Sequence, residues 1–311
     1  MESETEKTEY KGNCHCGAFK FKTKLPSPGL SAIKVRNCDC SVCSKNAPLW
    51  IFPVADADFK IQSGEDSLQA YKFGSELIPN YFCPKCGSTV LCRINMENIP
   101  KDRSLGINAR MLRDIDLDKL ELVKMTGSEF GEQYQPPTFP PIEETEKKLG
   151  KNEGDGMKVY HGNCHCKAVT FSVLTKPLEE QEIMSCNCSS CSRACLPSPF
   201  PLHLLSHFQD PNFRTAADRK QNGDLFIYPK KNQVVIHTGK TQITPYAFIS
   251  KDSLHSFCKV CGVSIMVEVL SEDDVCPLNV RTLVDFPELE TAGKLKRTYY
   301  DGAKMDPQYK V

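Results

Sequence analysis

Short runs along the chain alternate apolar and polar positions with a period of two: AFKFKT, AIKVRNC, LWIFPV, LQAYKF and AVTFSVL. Alternation of this kind, rich in β-branched and aromatic residues and broken by Gly, Pro and Asp, predicts short half-buried strands. Helical stretches are few, and SPFPLHLLSHF (Ser198 to Phe208) is the best candidate. No apolar run approaches the roughly 20 residues that cross a bilayer, and the start MESETEKTEYKGN is too polar for a signal peptide. The pattern predicts a mainly β protein that stays in solution inside the cell.

Length divides this picture in two. A chain of 311 residues implies two domains at roughly 150 residues each, and the chain repeats itself at that offset. YKGNCHCGAFKF (Tyr10 to Phe21) answers YHGNCHCKAVTF (Tyr160 to Phe171), and Gly64, Tyr71, Phe73 and Phe82 answer Gly239, Tyr246, Phe248 and Phe257. Later, Asn108, Arg110 and Asp114 answer Asn279, Arg281 and Asp285. The intervening QPPTFPPIEETEKKLGKNEGDG is rich in Pro, Glu, Lys and Gly, a composition expected to form a linker. The expected bounds are a first domain over 1–134, a linker over 135–156 and a second domain over 157–311.

Charge excludes one class of partner and cysteine points to another. The 39 basic and 39 acidic residues cancel, so no global field favours nucleic acid or acidic membranes. Of 17 cysteines, 14 form one seven-cysteine pattern written twice. The first copy reads NCHC (Cys14, Cys16), NCDCSVC (Cys38, Cys40, Cys43) and FCPKCG (Cys83, Cys86). The second reads NCHC (Cys164, Cys166), SCNCSSC (Cys186, Cys188, Cys191) and FCKVCG (Cys258, Cys261). Thiols one or two residues apart converge on a metal ion, and in an intracellular protein they are ligands more often than disulfides.

The spacings predict two kinds of centre. A CxC pair and a distant CxxCG pair supply four sulfurs from two knuckles, with Gly87 and Gly262 suited to the tight turn. Cys14, Cys16, Cys83 and Cys86, and likewise Cys164, Cys166, Cys258 and Cys261, would fill a zinc completely, which makes a structural staple. The CxCxxC run supplies three sulfurs and leaves one position for another ligand. Three thiolates acidify bound water less than three histidines do, so capture of a soft exogenous thiolate, such as glutathione, suits this set better than hydrolysis. Completion by Cys92, Cys195 or Cys276 would instead make it a second structural site. No run has the spacing of a ferredoxin cluster.

These residues resemble the glutathione-dependent formaldehyde-activating enzyme family, which includes the centromere protein V-like proteins. The resemblance rests on GNCHCGAFKF, the CxCxxC, GEDSLQAYKFGS, YFCPKCG and GINARMLRDIDLDKL, and the second copy repeats the cysteines and NVRTLVD. It implies two tandem β-tent-like zinc domains with small antiparallel sheets. It also implies a catalytic zinc on Cys38, Cys40 and Cys43 and on Cys186, Cys188 and Cys191, up to four zinc ions per chain in all. The implied activity is that of a carbon–sulfur lyase, S-(hydroxymethyl)glutathione synthase, joining formaldehyde to glutathione. A lyase or thiol transferase on a larger conjugate, and a non-catalytic zinc module binding a protein or chromatin partner, are the alternatives. A cytoplasmic location follows, with a nuclear one open.

Other residues refine the expectation. Lys45 and Arg193 follow the three-cysteine runs and are candidates to contact bound glutathione and offset thiolate charge. Arg110 and Arg281 would either grip a carboxylate or hold the carbonyls of a buried turn. His15 and His165 alternate away from the metal in an extended knuckle, in a surface or supporting role. His203 and His207 share a helical face, and His255 precedes Cys258 by three residues. The second copy has Lys167 in place of Gly17 and spans 67 positions from Cys191 to Cys258, against 40 from Cys43 to Cys83. The first copy, closer to the family pattern, is expected to supply most of the activity.

Overall fold

A computed structural model describes residues 6–129, 133–193, 213–215, 223–247, 253–270 and 274–300. The chain is mainly β and divides at Gln133/Tyr134 into two compact units. Each unit pairs a three-stranded sheet with a larger one.

In the first unit the small sheet runs in the order Lys7–Asn13, Lys20–Pro26, Phe59–Ser63, antiparallel throughout. Alternation puts Phe21, Thr23 and Leu25 inward and leaves Lys20, Lys22 and Lys24 outward. The seven-stranded sheet runs Leu122–Met125, Val35–Cys38, Leu49–Val54, Leu105–Asn108, Thr89–Arg93, Asn80–Phe82, Gln69–Tyr71. Its first pair is parallel and the rest are antiparallel. The core holds Phe19, Phe21, Leu49, Ile51, Leu105 and Ile107.

The second unit repeats this plan. Its small sheet is Lys158–Asn163, Thr170–Thr175, Val234–Thr238. Its large sheet runs Lys296–Tyr300, Glu182–Cys186, Leu225–Ile227, Leu278–Asn279, Ser264–Val269, Ser253–Cys258, Ile243–Ala247, again with the first pair parallel. An added edge strand, Phe213–Thr215, pairs antiparallel with Lys296–Tyr300. It comes from the insert, so the extra sequence extends the sheet beside the three-cysteine run.

The segment that reads as a linker behaves differently. Residues from Tyr134 onward group with the second unit, and Ile142–Leu149 is a helix ended by Gly150 in the left-handed region. Thr145 on that helix is buried, and the helix packs on Lys158–Asn163 and Thr170–Thr175. The helical candidate at 198–208 lies outside the described residues; among these the helices are short, the longest having 8 residues.

Candidate metal centres and active site

Backbone hydrogen bonds build the outer knuckles. Gly17 N donates to Cys14 O at 2.9 Å and Cys14 N to Phe19 O at 3.1 Å, while Gly87 N donates to Cys83 O and Cys83 N to Ser88 O. The second unit repeats each bond, with Lys167 N donating to Cys164 O at 3.0 Å. Lys167 adopts φ +67° where Gly17 has +73°, so the substitution keeps the turn and takes on the left-handed strain that glycine avoids. Backbone N–H groups of Phe19 and Val169 reach the sulfurs of Cys14 and Cys164, both at 3.3 Å.

The sulfurs then meet at metal distances. The Sγ atoms of Cys14, Cys16, Cys83 and Cys86 all lie within 4.8 Å of one another, as do those of Cys164, Cys166, Cys258 and Cys261. Cys16 Sγ is 3.6 Å from both Cys14 Sγ and Cys83 Sγ, and Cys166 Sγ is 3.5 and 3.6 Å from Cys164 and Cys258. A tetrahedron with zinc–sulfur bonds of about 2.3 Å has edges of about 3.8 Å, so both sets fit zinc.

The three-cysteine runs converge as well. Cys38 ends a strand, Cys40 precedes the helix Ser41–Asn46 and Cys43 lies on its first turn; their sulfurs lie within 4.8 Å of one another. Cys186, Cys188 and Cys191 are set alike. Among the described residues no fourth Cys, His, Asp or Glu joins either group. Cys92 and Cys276 are buried but stand apart from these sets, and Cys195 lies outside the described residues.

Proximity of sulfurs has an electrostatic consequence. Cys40 and Cys43 thiols donate to Cys38 and hold it down at about 3, and Cys16, Cys166 and Cys258 are lowered by neighbouring thiols in the same way. Cys43 is pushed up chiefly by the Cys38 contact, and in the second three-sulfur set Cys191 is pushed up chiefly by burial. Without a cation the thiols of a set compete for negative charge; a bound divalent metal is what allows three or four to ionise together.

Three neighbours of the first three-sulfur centre were not singled out from sequence. Trp50 Nε1 donates to Cys43 Sγ at 3.4 Å. A Cβ on Gly127 would stand 2.4 Å from Cys38 Sγ, so only glycine fits there. Asp39 N donates to Met125 O, and Asp39 Oδ1 accepts from Ser128 N at 2.9 Å, clamping the Cys38–Cys40 turn to the segment that carries Gly127. Gly127 is distant in sequence, and only the parallel pairing of Leu122–Met125 with Val35–Cys38 brings it in. Trp50 had a signal: it is the sole tryptophan, seven residues after Cys43.

The second centre is enclosed. Cys186, Cys188 and Cys191 are buried in an apolar cluster with Met184, Phe226, Val267, Val269 and Tyr300, and Tyr228 and Val275 pack against it. In the first centre Cys40 remains partly exposed.

The remaining candidates fall in different places. Lys45 and Arg193 are both buried, and burial brings the Lys45 ammonium down to about 8. Arg110 Nε donates to Ala47 O at 2.7 Å and Arg281 Nε to Gly223 O at 2.6 Å, so each arginine holds a backbone carbonyl. These matching bonds place the insert: Cys43 to Ala47 spans 4 positions, Cys191 to Gly223 spans 32, and the added 28 therefore fall directly after the three-cysteine run. His15 and His165 are buried rather than on the surface; His15 N donates to Ser88 Oγ, and His165 stacks on Tyr134 with ring centroids 4.9 Å apart. His255 is buried on its strand beside Tyr246, and His203 and His207 lie outside the described residues.

Paired four-sulfur and three-sulfur sets on a two-sheet β scaffold define a class of cysteine-rich domain able to hold metal ions. Residues 9–114 match the model of the family described as glutathione-dependent formaldehyde-activating enzyme. That stretch contains all seven cysteines of the first copy, so the match rests on the first copy. A Halomonas elongata protein whose description bears the same family name is 28% identical over 86 residues, covering 25% of this chain and 52% of that protein. The chain thus spans about half the length of this curated relative. A crystal structure of a Rhodobacter sphaeroides protein is 28% identical, covering 37% of this chain and 99% of that one, with a TM-score of 0.32.

Proposed function

We propose that the chain is a zinc enzyme acting on glutathione adducts, and that its first three-cysteine centre joins glutathione to formaldehyde. The observation that carries this reading is the contrast inside the first copy: a filled four-sulfur set beside a three-sulfur set with Cys40 partly exposed. Zinc held by Cys38, Cys40 and Cys43 would supply one remaining position suited to a soft thiolate. The family name of the matched stretch and of the Halomonas elongata relative supports glutathione as the thiol and formaldehyde as the electrophile.

The addition balances without a further reactant. The glutathione sulfur forms a bond to the formaldehyde carbon, the C=O π pair moves to oxygen, and the thiol proton ends on that oxygen as the hydroxyl of S-(hydroxymethyl)glutathione. In reverse this is a carbon–sulfur lyase reaction. Cys38, Cys40 and Cys43 fix the geometry from a strand end and a helix start, and Trp50 steadies Cys43. The Lys45 ammonium donates to Thr282 O at 3.1 Å, and the thiolates that favour its charge are those of Cys164 and Cys261. Because the set Cys186, Cys188 and Cys191 is enclosed in an apolar cluster, the glutathione chemistry is assigned to the first copy.

Calorimetric titration of the zinc-loaded chain with glutathione tests this. Saturable binding is expected in the wild type and in Cys188→Ser, and its loss in Cys40→Ser. Equal binding by wild type and Cys40→Ser would overturn the assignment.

A further inference from the structure

The outer faces of the two small sheets have the same register and opposite chemistry. Lys11 pairs with Lys22, and Lys22 with Lys60; in the second unit His161 pairs with Ser172, and Ser172 with Val235. Ser172, Thr170, Leu174 and Val159 on the second unit's face are buried, because the helix Ile142–Leu149 lies on those strands and Phe139 stacks on His161 at 4.5 Å. Beneath this cover Ser172 Oγ bonds His161 Nδ1 at 2.6 Å and His237 Nε2 at 2.7 Å.

The matching positions of the first unit carry charge. Lys11, Lys20, Lys22, Lys24 and Lys60 stand there with Glu9, and Lys22, Lys24 and Lys60 line a shallow depression of about 310 Å³ together with Glu9 and Asp58. Lys22 pairs with Glu9 and Lys7 with Asp58, both at 2.7 Å. Among the described residues Lys11, Lys20, Lys24 and Lys60 have no ion-pair partner, and the positive surroundings, led by Lys22, hold Glu9 below the usual carboxylate range. A chain of zero net charge therefore concentrates four unmatched positive charges on one small face.

We propose that this lysine-rich face docks an acidic helical segment of a partner protein, laid across the sheet as Ile142–Leu149 is laid across its counterpart. The dimensions agree: three strands about 4.8 Å apart span about 10 Å, the width of one helix. The face offers neither arginine forks nor aromatic rings, the groups that grip phosphates bidentately and stack bases, which disfavours nucleic acid. Among the described residues the apolar side chain lining the depression is Ala57, too small to anchor in a bilayer. The attraction is between exposed charges and is salt-sensitive.

Fluorescence anisotropy on the full zinc-loaded chain tests the proposal with a labelled helical peptide bearing glutamates along one face. Saturable binding is expected, weakening at least tenfold between ~50 and ~300 mM salt as screening shortens. The variant Lys11→Glu/Lys24→Glu/Lys60→Glu should weaken it at least tenfold more, and Lys119→Glu, a reversal elsewhere on the surface, should leave it unchanged. A thermal melt checks folding, with Lys24→Gln/Lys60→Gln as the milder variant if the triple change unfolds the protein. Absent binding, equal binding by the folded reversal variant, or tighter face-dependent binding of a DNA duplex or phosphatidylserine vesicles would overturn the proposal.

Discussion

In the first copy the three-cysteine centre borders Trp50, Gly127 and solvent at Cys40, while in the second copy the same three sulfurs lie among Met184, Phe226, Val267 and Tyr300. The small sheets invert that relation, open over lysines in the first copy and covered by a helix in the second. Both copies keep the order of the seven shared strands and both sulfur spacings. What diverges is the covering of each surface. Metal ligation demands the spacings, whereas the faces around them are at liberty to differ, open in one copy and covered in the other.

The largest expected effect is the one the copies should share. Cys83→Ser and Cys258→Ser each remove one of four sulfurs, and the binding energy of such a site is part of the folding energy of its domain. Each change should lower the melting midpoint of its own domain by on the order of 10 °C or more. Chelation of the wild type should reproduce the loss once the outer zincs are stripped, after those of the three-sulfur sets. A small shift in one copy only would mean that the two outer centres are not equivalent staples.

A smaller effect should separate the copies. Cys188→Ser places a hydroxyl inside an apolar cluster, at a cost of about 1–3 kcal/mol beyond any loss of metal, whereas Cys40→Ser puts it at a partly exposed position. Calorimetric melting should therefore show a deeper fall for Cys188→Ser by several degrees, and glutathione binding should fall only for Cys40→Ser. Equal melting shifts would remove the distinction between an enclosed and an open centre.

The legible parts of this structure were the local ones. Cysteines in a knuckle must be neighbours in sequence, so the sets Cys14/Cys16/Cys83/Cys86 and Cys38/Cys40/Cys43 could be read from spacing. Alternation in AFKFKT gave the half-buried strand Lys20–Pro26, and its counterpart AVTFSVL gave Thr170–Thr175, whose second covered face it did not reveal. That cover comes from Phe139 and the helix Ile142–Leu149, polar segments whose burial depends on residues elsewhere. The glycine at 127 was illegible for a related reason, since its constraint is the sulfur of Cys38. Lys167 misled in the other direction: it reads as a departure from Gly17, yet the turn bears it at φ +67°.

The smallest expected effect isolates one hydrogen bond. Trp50 pairs with Asn108 across the sheet as Phe226 pairs with Asn279, so the second copy has a ring with no N–H where the first has a donor to Cys43 Sγ. Trp50→Phe thus converts the first centre to the second in this single respect. An N–H directed at a thiolate stabilises the ionised form that the metal requires, and such a bond contributes about 0.5–1.5 kcal/mol net. Zinc retention at the first centre should weaken by up to about tenfold against a competing chelator, with the melting midpoint nearly unchanged. Because Trp50 is the sole tryptophan, cobalt(II) entering this centre should quench the wild-type emission, and Cys40→Ser should reduce that quenching far more than Cys188→Ser. Retention unaltered in Trp50→Phe would show that the indole fills space beside Cys43 without tuning it, and the copies would then differ in enclosure alone.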